Sequence, residues 1–123
     1  MRAAIDYVGA MEIDLATRQL SAIAQDTRLR VFRLLIERGA GGLPAGDIAR
    51  ALNVPANTLS AHLQVLTNAG LTTARRERRN IIYSVRLGAT RDLLSYLVED
   101  CCGGAPEICG DLLQASKPDC EIA

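Results

Sequence analysis

The chain has 123 residues, enough for one domain with a modest core, and its single Phe, three Tyr and absent Trp leave Leu, Ile, Val and Ala to fill that core. No apolar run approaches the roughly 18 residues of a membrane span, and the opening Met1-Arg2-Ala3-Ala4-Ile5-Asp6 lacks the apolar segment of a signal peptide, so a cytoplasmic protein without a membrane partner is expected. The zero net charge is unevenly spread, at −2 for residues 1–27, +8 for residues 28–91 and −6 for residues 92–123, and a basic middle is the electrostatic footprint of a polyanion binder.

The first ten residues are expected to fray. Glu12 to Ala24 reads as a helix, capped at Asp14 or earlier, with Leu15, Leu20, Ile23 and Ala24 on one side. Asp26 is placed to cap a second helix, because its carboxylate can accept orphan backbone N–H groups. Leu29, Phe32, Leu35 and Ile36 form the expected buried face of that helix, and Gly39 with Gly41-Gly42 ends it.

Leu43 to Leu52 reads as a short third helix with Ile48 and Leu52 facing inward. Asn53-Val54-Pro55 is a turn, and Pro55 suits the entrance of the next helix, where its missing N–H would have had no partner. In that next helix Leu59, Leu63 and Leu66 recur at i, i+4 and i+7, which leaves Asn57, Thr58, Ser60, Ala61 and Gln64 on the other faces. It stops at Asn68-Ala69-Gly70, with Gly70 as a left-handed cap. Two helices joined by so brief a turn form a helix-turn-helix. An outer face that is small and hydrogen-bonding, without dense charge, suits the floor of a DNA major groove.

Two strands follow, Leu71 to Arg75 and Asn80 to Arg86, around Arg76-Glu77-Arg78-Arg79, with Ile81, Tyr83 and Val85 alternating with Ile82, Ser84 and Arg86. The fold class expected is therefore mainly α with a small β-hairpin, a winged helix-turn-helix. Ala89 to Asp100 is the final helix, and Leu93, Leu94, Leu97 and Val98 give it a wider apolar stripe than a helix lying alone on a small domain requires. With the first helix it is expected to make a homodimer interface, ordinary core packing being the other reading. Residues 1–100 then form the DNA-binding and dimerisation domain, and residues 101–123 a cysteine-bearing tail.

For double-stranded DNA, Asn57, Thr58, Ser60, Ala61 and Gln64 are candidate groove-facing groups, and a Gln can read adenine bidentately. Thr58 and Ser60 can equally touch phosphate, which carries no sequence information. For His62, a phosphate or base contact and a packed ring stand as alternatives. Arg75, Arg76, Arg78 and Arg79 are candidate backbone or minor-groove contacts, the other reading of such a charge run being a solvated turn.

These motifs together resemble the arsenic-repressor (ArsR/SmtB) metalloregulators, dimeric winged-helix repressors that leave DNA when a metal or metalloid binds. Asp26-Thr27-Arg28-Leu29-Arg30 looks like the family's D-x-T-R-L-x signature, Ser60-Ala61-His62-Leu63 with Leu66 and Ala69-Gly70-Leu71 like its S-x-H-L-x-x-L…A-G-L pattern, and Arg75-Arg76-Glu77-Arg78-Arg79 with Ile82-Tyr83 like its wing. The resemblance covers about residues 15–100. Where many arsenic-sensing members place L-C-x-C-D-L in the third helix, this chain has Leu43-Pro44-Ala45-Gly46-Asp47-Ile48, so that thiol pair is absent. The zinc-sensing members carry Asp and His ligands along the last helix, and the single histidine here lies in the reading helix, so that site cannot be built. Arg78 stands where the wing tip often has Gly.

All four cysteines, Cys101, Cys102, Cys109 and Cys120, fall in the last 23 residues, and a cytosolic thiol cluster points to a soft-metal or redox site before a disulfide framework. Cys101-Cys102 with Cys109 is similar to a subset of the family that binds trivalent arsenic through an adjacent pair and a third cysteine just after the last helix. Three thiolates suit a thiophilic ion far better than Mg or Ca, and the Gly103-Gly104 break allows Cys109 to fold back as third ligand. A three-sulfur set fits the trigonal pyramid of As(III), whereas tetrahedral zinc would need Cys120 or an outside ligand.

The resemblance thus implies an arsenite-responsive repressor with As(III) as inducer at Cys101, Cys102 and Cys109, and no organic cofactor. Sensing of Cd, Pb, Sb or methylarsenite, or of thiol oxidation, is the alternative. A thiol enzyme is disfavoured, because neither C-x-x-C nor a phosphate-cradling loop accompanies the cysteines.

Overall fold

The computed structural model describes residues 12–98. Helix α1 spans Ile13–Ile23, and its N-cap is Glu12, the earlier of the positions the sequence allowed, with no side-chain cap hydrogen bond. It turns Ala16, Gln19 and Ala22 inward, while Leu20 stays 41% exposed. A sharp corner at Ala24-Gln25 leads to α2, Asp26–Arg38. The cap is Gln25, whose Oε1 accepts from the Arg28 backbone N–H at 2.8 Å. Asp26, expected in that role, is instead the first helical residue, where its carboxylate complements the helix dipole and pairs with Arg30 at 3.2 Å. Val31 and Leu35, four apart, are the buried stripe of α2, and Leu29 and Ile36 remain partly exposed because the 100° step turns them away from it.

A glycine-rich segment then reverses the chain through the short 3₁₀ turn Gly39–Gly41. Leu43–Pro44 forms a two-residue strand, β1, and the third helix, α3, covers only Ala45–Leu52. The expectation of a helix from Leu43 fails at Pro44, because a residue that precedes proline is biased to extended backbone. Leu43 consequently pairs with Tyr83, and Pro44 with Ile82. Asn53 takes a left-handed conformation (φ 57°) at the end of α3, and α4 follows at Ala56–Asn68. Beyond α4, Gly70 (φ 84°) lets the Leu71 N–H reach back to the Leu66 carbonyl at 3.1 Å.

Strands β2, Thr72–Glu77, and β3, Asn80–Val85, make an antiparallel hairpin in a sheet of order β1-β3-β2. The pairing runs from Thr72 opposite Val85 to Glu77 opposite Asn80, so the turn holds only Arg78 and Arg79 and not the expected four residues. Arg76 and Glu77 can stay in the ladder because strand side chains point off the sheet into solvent. The final helix, α5, spans Leu87–Val98 and starts earlier than Ala89, with the Thr90 N–H closing on the Arg86 carbonyl at 3.1 Å.

The core joins Ala22, Val31, Leu35, Ile48, Leu59, Leu63, Leu66, Ala69, Leu71 and Val85. Each fully buried Leu or Ile there contributes about 1.5–3 kcal/mol of transfer free energy. With Leu59, Leu63 and Leu66 all sealed inside, α4 is held by one face and presents the other to solvent. A smaller cluster, Ala16 and Leu93 with Leu15, Ile23 and Tyr96, joins α1 to α5. No described helix is long and apolar enough to cross a membrane.

Candidate nucleic-acid interface

Residues Asn57, Thr58, Ser60, Ala61 and Gln64 all lie exposed on α4, opposite its buried leucines. Pro55 precedes the helix without a side-chain cap, which leaves the positive end of its dipole open toward solvent. The Asn57 Oδ1 accepts from the Thr58 backbone N–H at 2.9 Å. One turn from the far end, the Gln64 Nε2 donates to the Asn68 Oδ1 at 3.2 Å, which orients the Gln64 carboxamide along the outer face. Small and amide-bearing groups in this arrangement offer both donors and acceptors to base edges.

His62 lies on the flank of α4, half-buried. Its Nδ1 meets Arg28 NH1 at 3.3 Å, and the Arg28 Nε donates to the Ala22 carbonyl at 2.6 Å. Arg28 was not among the residues singled out by charge or position in the sequence, although it sits inside the Asp26-Thr27-Arg28 motif. Its partners lie 6 and 34 residues away, and that closure exists only in the folded chain.

The hairpin separates its arginines into two kinds. Arg75 is held along the surface, its Nε donating to Glu77 Oε2 at 3.2 Å and its NH2 to the Gly41 carbonyl at 3.3 Å, and it anchors β2 to the turn after α2. Arg76, Arg78 and Arg79 are exposed and make no ion pair among the described residues. Arg78 holds the hairpin turn at φ 60°. On α3, Arg50 is occupied by Asp47. Three arginines without an ion pair among the described residues therefore stand together at the tip of the wing and on the strand leading to it.

Leu94 (58% exposed) and Leu97 (49%) form an unburied apolar row on α5, and Ile13 (61%) and Leu20 one on α1. Cys101, Cys102 and Cys109 lie outside the described residues. Among the described residues no group of three or more His, Cys, Asp or Glu side chains is gathered as for a metal ion.

A helix-turn-helix domain model matches residues 23–75. The chain is 30% identical over 77 residues to the transcriptional repressor SdpR of Bacillus subtilis, across 63% of this chain and 82% of that protein. Its fold superimposes with a TM-score of 0.60, at 32% identity, on the homodimeric winged helix-turn-helix DNA-binding domain of Mb0332 from Mycobacterium bovis, a possible ArsR-family transcriptional regulator. That match covers 72% of this chain and 82% of the other. The chain belongs to the ArsR family of winged-helix transcriptional regulators. It is a DNA-binding regulator and not an enzyme. A further structure, that of a possible transcriptional regulator for arsenical resistance, is 26% identical, with a TM-score of 0.59 over 76% of this chain and 95% of that one. Within such a regulator α4 is the recognition helix and the β2–β3 hairpin is the wing.

Proposed function

We propose that this ArsR-family regulator is a homodimeric, arsenite-responsive repressor, released from its operator when As(III) binds Cys101, Cys102 and Cys109. The observation that carries the DNA half is the division of α4 into a sealed leucine face and an outer face of Asn57, Thr58, Ser60, Ala61 and Gln64, beside Arg76, Arg78 and Arg79 of the wing, which make no ion pair among the described residues. Two recognition helices related by a dimer axis address successive major-groove turns, so the operator is an imperfect inverted repeat with half-sites about 34 Å, or a multiple, apart.

The dimer reading is supported by the unburied apolar rows on α1 and α5 and by the homodimeric state of the Mycobacterium bovis domain. The arsenic reading is supported by the donor set, three thiols within nine residues, and by the likeness to a possible regulator of arsenical resistance. Soft sulfur ligands in a set of three match As(III). The tail follows α5 directly, so a ligand held by it can bias the pairing of subunits. As(III) must bind the DNA-incompetent dimer better than the competent one, since equal affinity shifts nothing, and a coupling of about 1–3 kcal/mol is typical.

The test is a titration of the fully reduced protein, bound to a labelled duplex carrying its own upstream region, with arsenite, zinc, cadmium and methylarsenite in parallel. Release by near-stoichiometric As(III), abolished by changing Cys101, Cys102 or Cys109 to Ser, is the expected result. Binding without release by any ion retains the regulator and redirects the thiols to oxidation sensing, and absence of duplex binding removes the function altogether.

A further inference from the structure

The Arg28 guanidinium bridges the end of α1 and the flank of α4. The last carbonyls of a helix have no partner within it, and Arg28 Nε satisfies that of Ala22, near the end of α1, at 2.6 Å, where a cation also complements the negative end of the helix dipole. The same guanidinium meets His62 Nδ1 on α4 at 3.3 Å, with both side chains partly buried. An arginine has donors and no acceptor. The imidazole Nδ1 must therefore accept, which places the ring proton on Nε2, the nitrogen farther from the helix backbone.

We propose that Arg28 is a positioning residue for DNA binding, which holds His62 in the Nε2–H form so that the imidazole donates to a backbone phosphate of the operator. The inference rests on the reading of α4 as the helix that enters the groove. A phosphate is favoured over a base because His62 is on the half-buried flank of α4, whereas Asn57, Ala61 and Gln64 occupy its exposed face. The flanks of a helix lying in a groove face the groove walls, which are the phosphate backbones. Because Arg28 also grips Ala22, the end of α1 and the donor on α4 are set by one rigid planar group.

The chain contains one histidine, so the ring is a unique reporter in the whole protein. Long-range nitrogen–proton correlation spectra of the tag-free, uniformly labelled full chain, recorded at about pH 8 and thus above the ordinary imidazole range, read the proton position without DNA. The expected spectrum shows protonated Nε2 and an Nδ1 resonance displaced toward the hydrogen-bonded position, a displacement lost in Arg28→Lys. Lysine keeps the charge but not the fork, so it cannot hold Ala22 and His62 together. A ring protonated on Nδ1, or a spectrum unchanged by Arg28→Lys, overturns the proposal.

Duplex binding supplies the second readout. Arg28→Lys and His62→Asn should each weaken operator and unrelated duplex alike by about a hundredfold, the size of one lost hydrogen bond to a charged group in each subunit of the dimer. The double variant should be no weaker than His62→Asn alone. His62→Gln, whose amide N–H reaches the position of Nε2, should stay within about threefold of the parent, a loss smaller than one such bond. Additive losses, or loss confined to the operator duplex, overturn the proposal while leaving the regulator intact. A parent chain that binds no duplex overturns the proposal together with the function beneath it.

Discussion

Gly42 and Tyr83 approach so closely that a β-carbon on residue 42 would overlap the Tyr83 carbonyl oxygen and stand 3.0 Å from the Ser84 β-carbon. Gly42 also adopts φ +70°, a conformation that costs any other L-residue. The contact closes the segment between α2 and α3 onto β3, the central strand of the sheet. Gly42→Ala therefore combines backbone strain with overpacking, and a loss of about 2–4 kcal/mol is expected. Thermal unfolding at fixed protein concentration measures it. Gly88→Ala is the control: its β-carbon meets nothing within 4 Å inside α5, and a gain of about 0.5–1 kcal/mol is expected there from helix propensity.

At the wing tip, stability and binding should separate. Arg78 holds a positive φ in a two-residue turn, where hairpins favour Gly or Asn. Arg78→Gly relieves a left-handed strain of about 1–2 kcal/mol, partly offset by the greater freedom of glycine in the unfolded chain. The expected variant is as stable as the parent or slightly more so, yet weaker on DNA. A variant that unfolds more readily would show that the Arg78 side chain stabilises the turn.

Much of the architecture was legible because periodicity survives folding. The i, i+4, i+7 leucines of α4 and the alternation of β3 gave the helix-turn-helix and the wing directly, and Gly70 marked the end of α4. What was not legible depended on neighbours in space. Leu43–Pro44 carries no strand pattern of its own and becomes β1 only because β3 is there to pair with it. The buried face of α2 was legible in part: Leu35 is buried and Phe32 packs against the core, whereas Val31 takes the inward place expected of Leu29 and Ile36, because all are apolar and hydropathy alone could not choose among them. In the site, exposure of the recognition face followed from the sequence, whereas the surface tie of Arg75 to Gly41 and the Arg28–His62 contact join segments 34 residues apart.

The apolar row on α5 predicts a separation between folding and assembly. Leu93 is buried against α1 and should be left alone, whereas Leu94 and Leu97 are about half exposed within one chain. Placing a carboxylate at an apolar interface costs several kcal/mol unless it is paired. Leu94→Glu with Leu97→Glu should therefore retain native helical content while shifting the sedimentation coefficient to that of a monomer, with loss of operator binding. A double variant that stays dimeric would move the interface elsewhere.

The interface residues also make separable contributions to affinity and specificity. Each phosphate contact adds about 0.9 to the slope of log affinity against log salt, so Arg79→Ala, which removes one contact from each subunit of the dimer, should weaken all duplexes similarly and lower that slope by about two. Gln64 lies on the exposed face of α4 with its carboxamide oriented by Asn68. If that amide reads a base edge, Gln64→Ala should leave the salt slope unchanged and cost about 1–3 kcal/mol per half-site only on the operator, relaxing selectivity at one base pair in each half-site. Competition binding over several salt concentrations distinguishes the two. A salt slope altered by Gln64→Ala would make it a phosphate contact, and a slope unaffected by Arg79→Ala would leave the Arg79 side chain in solvent, with the electrostatic grip of the wing resting on Arg76 and Arg78.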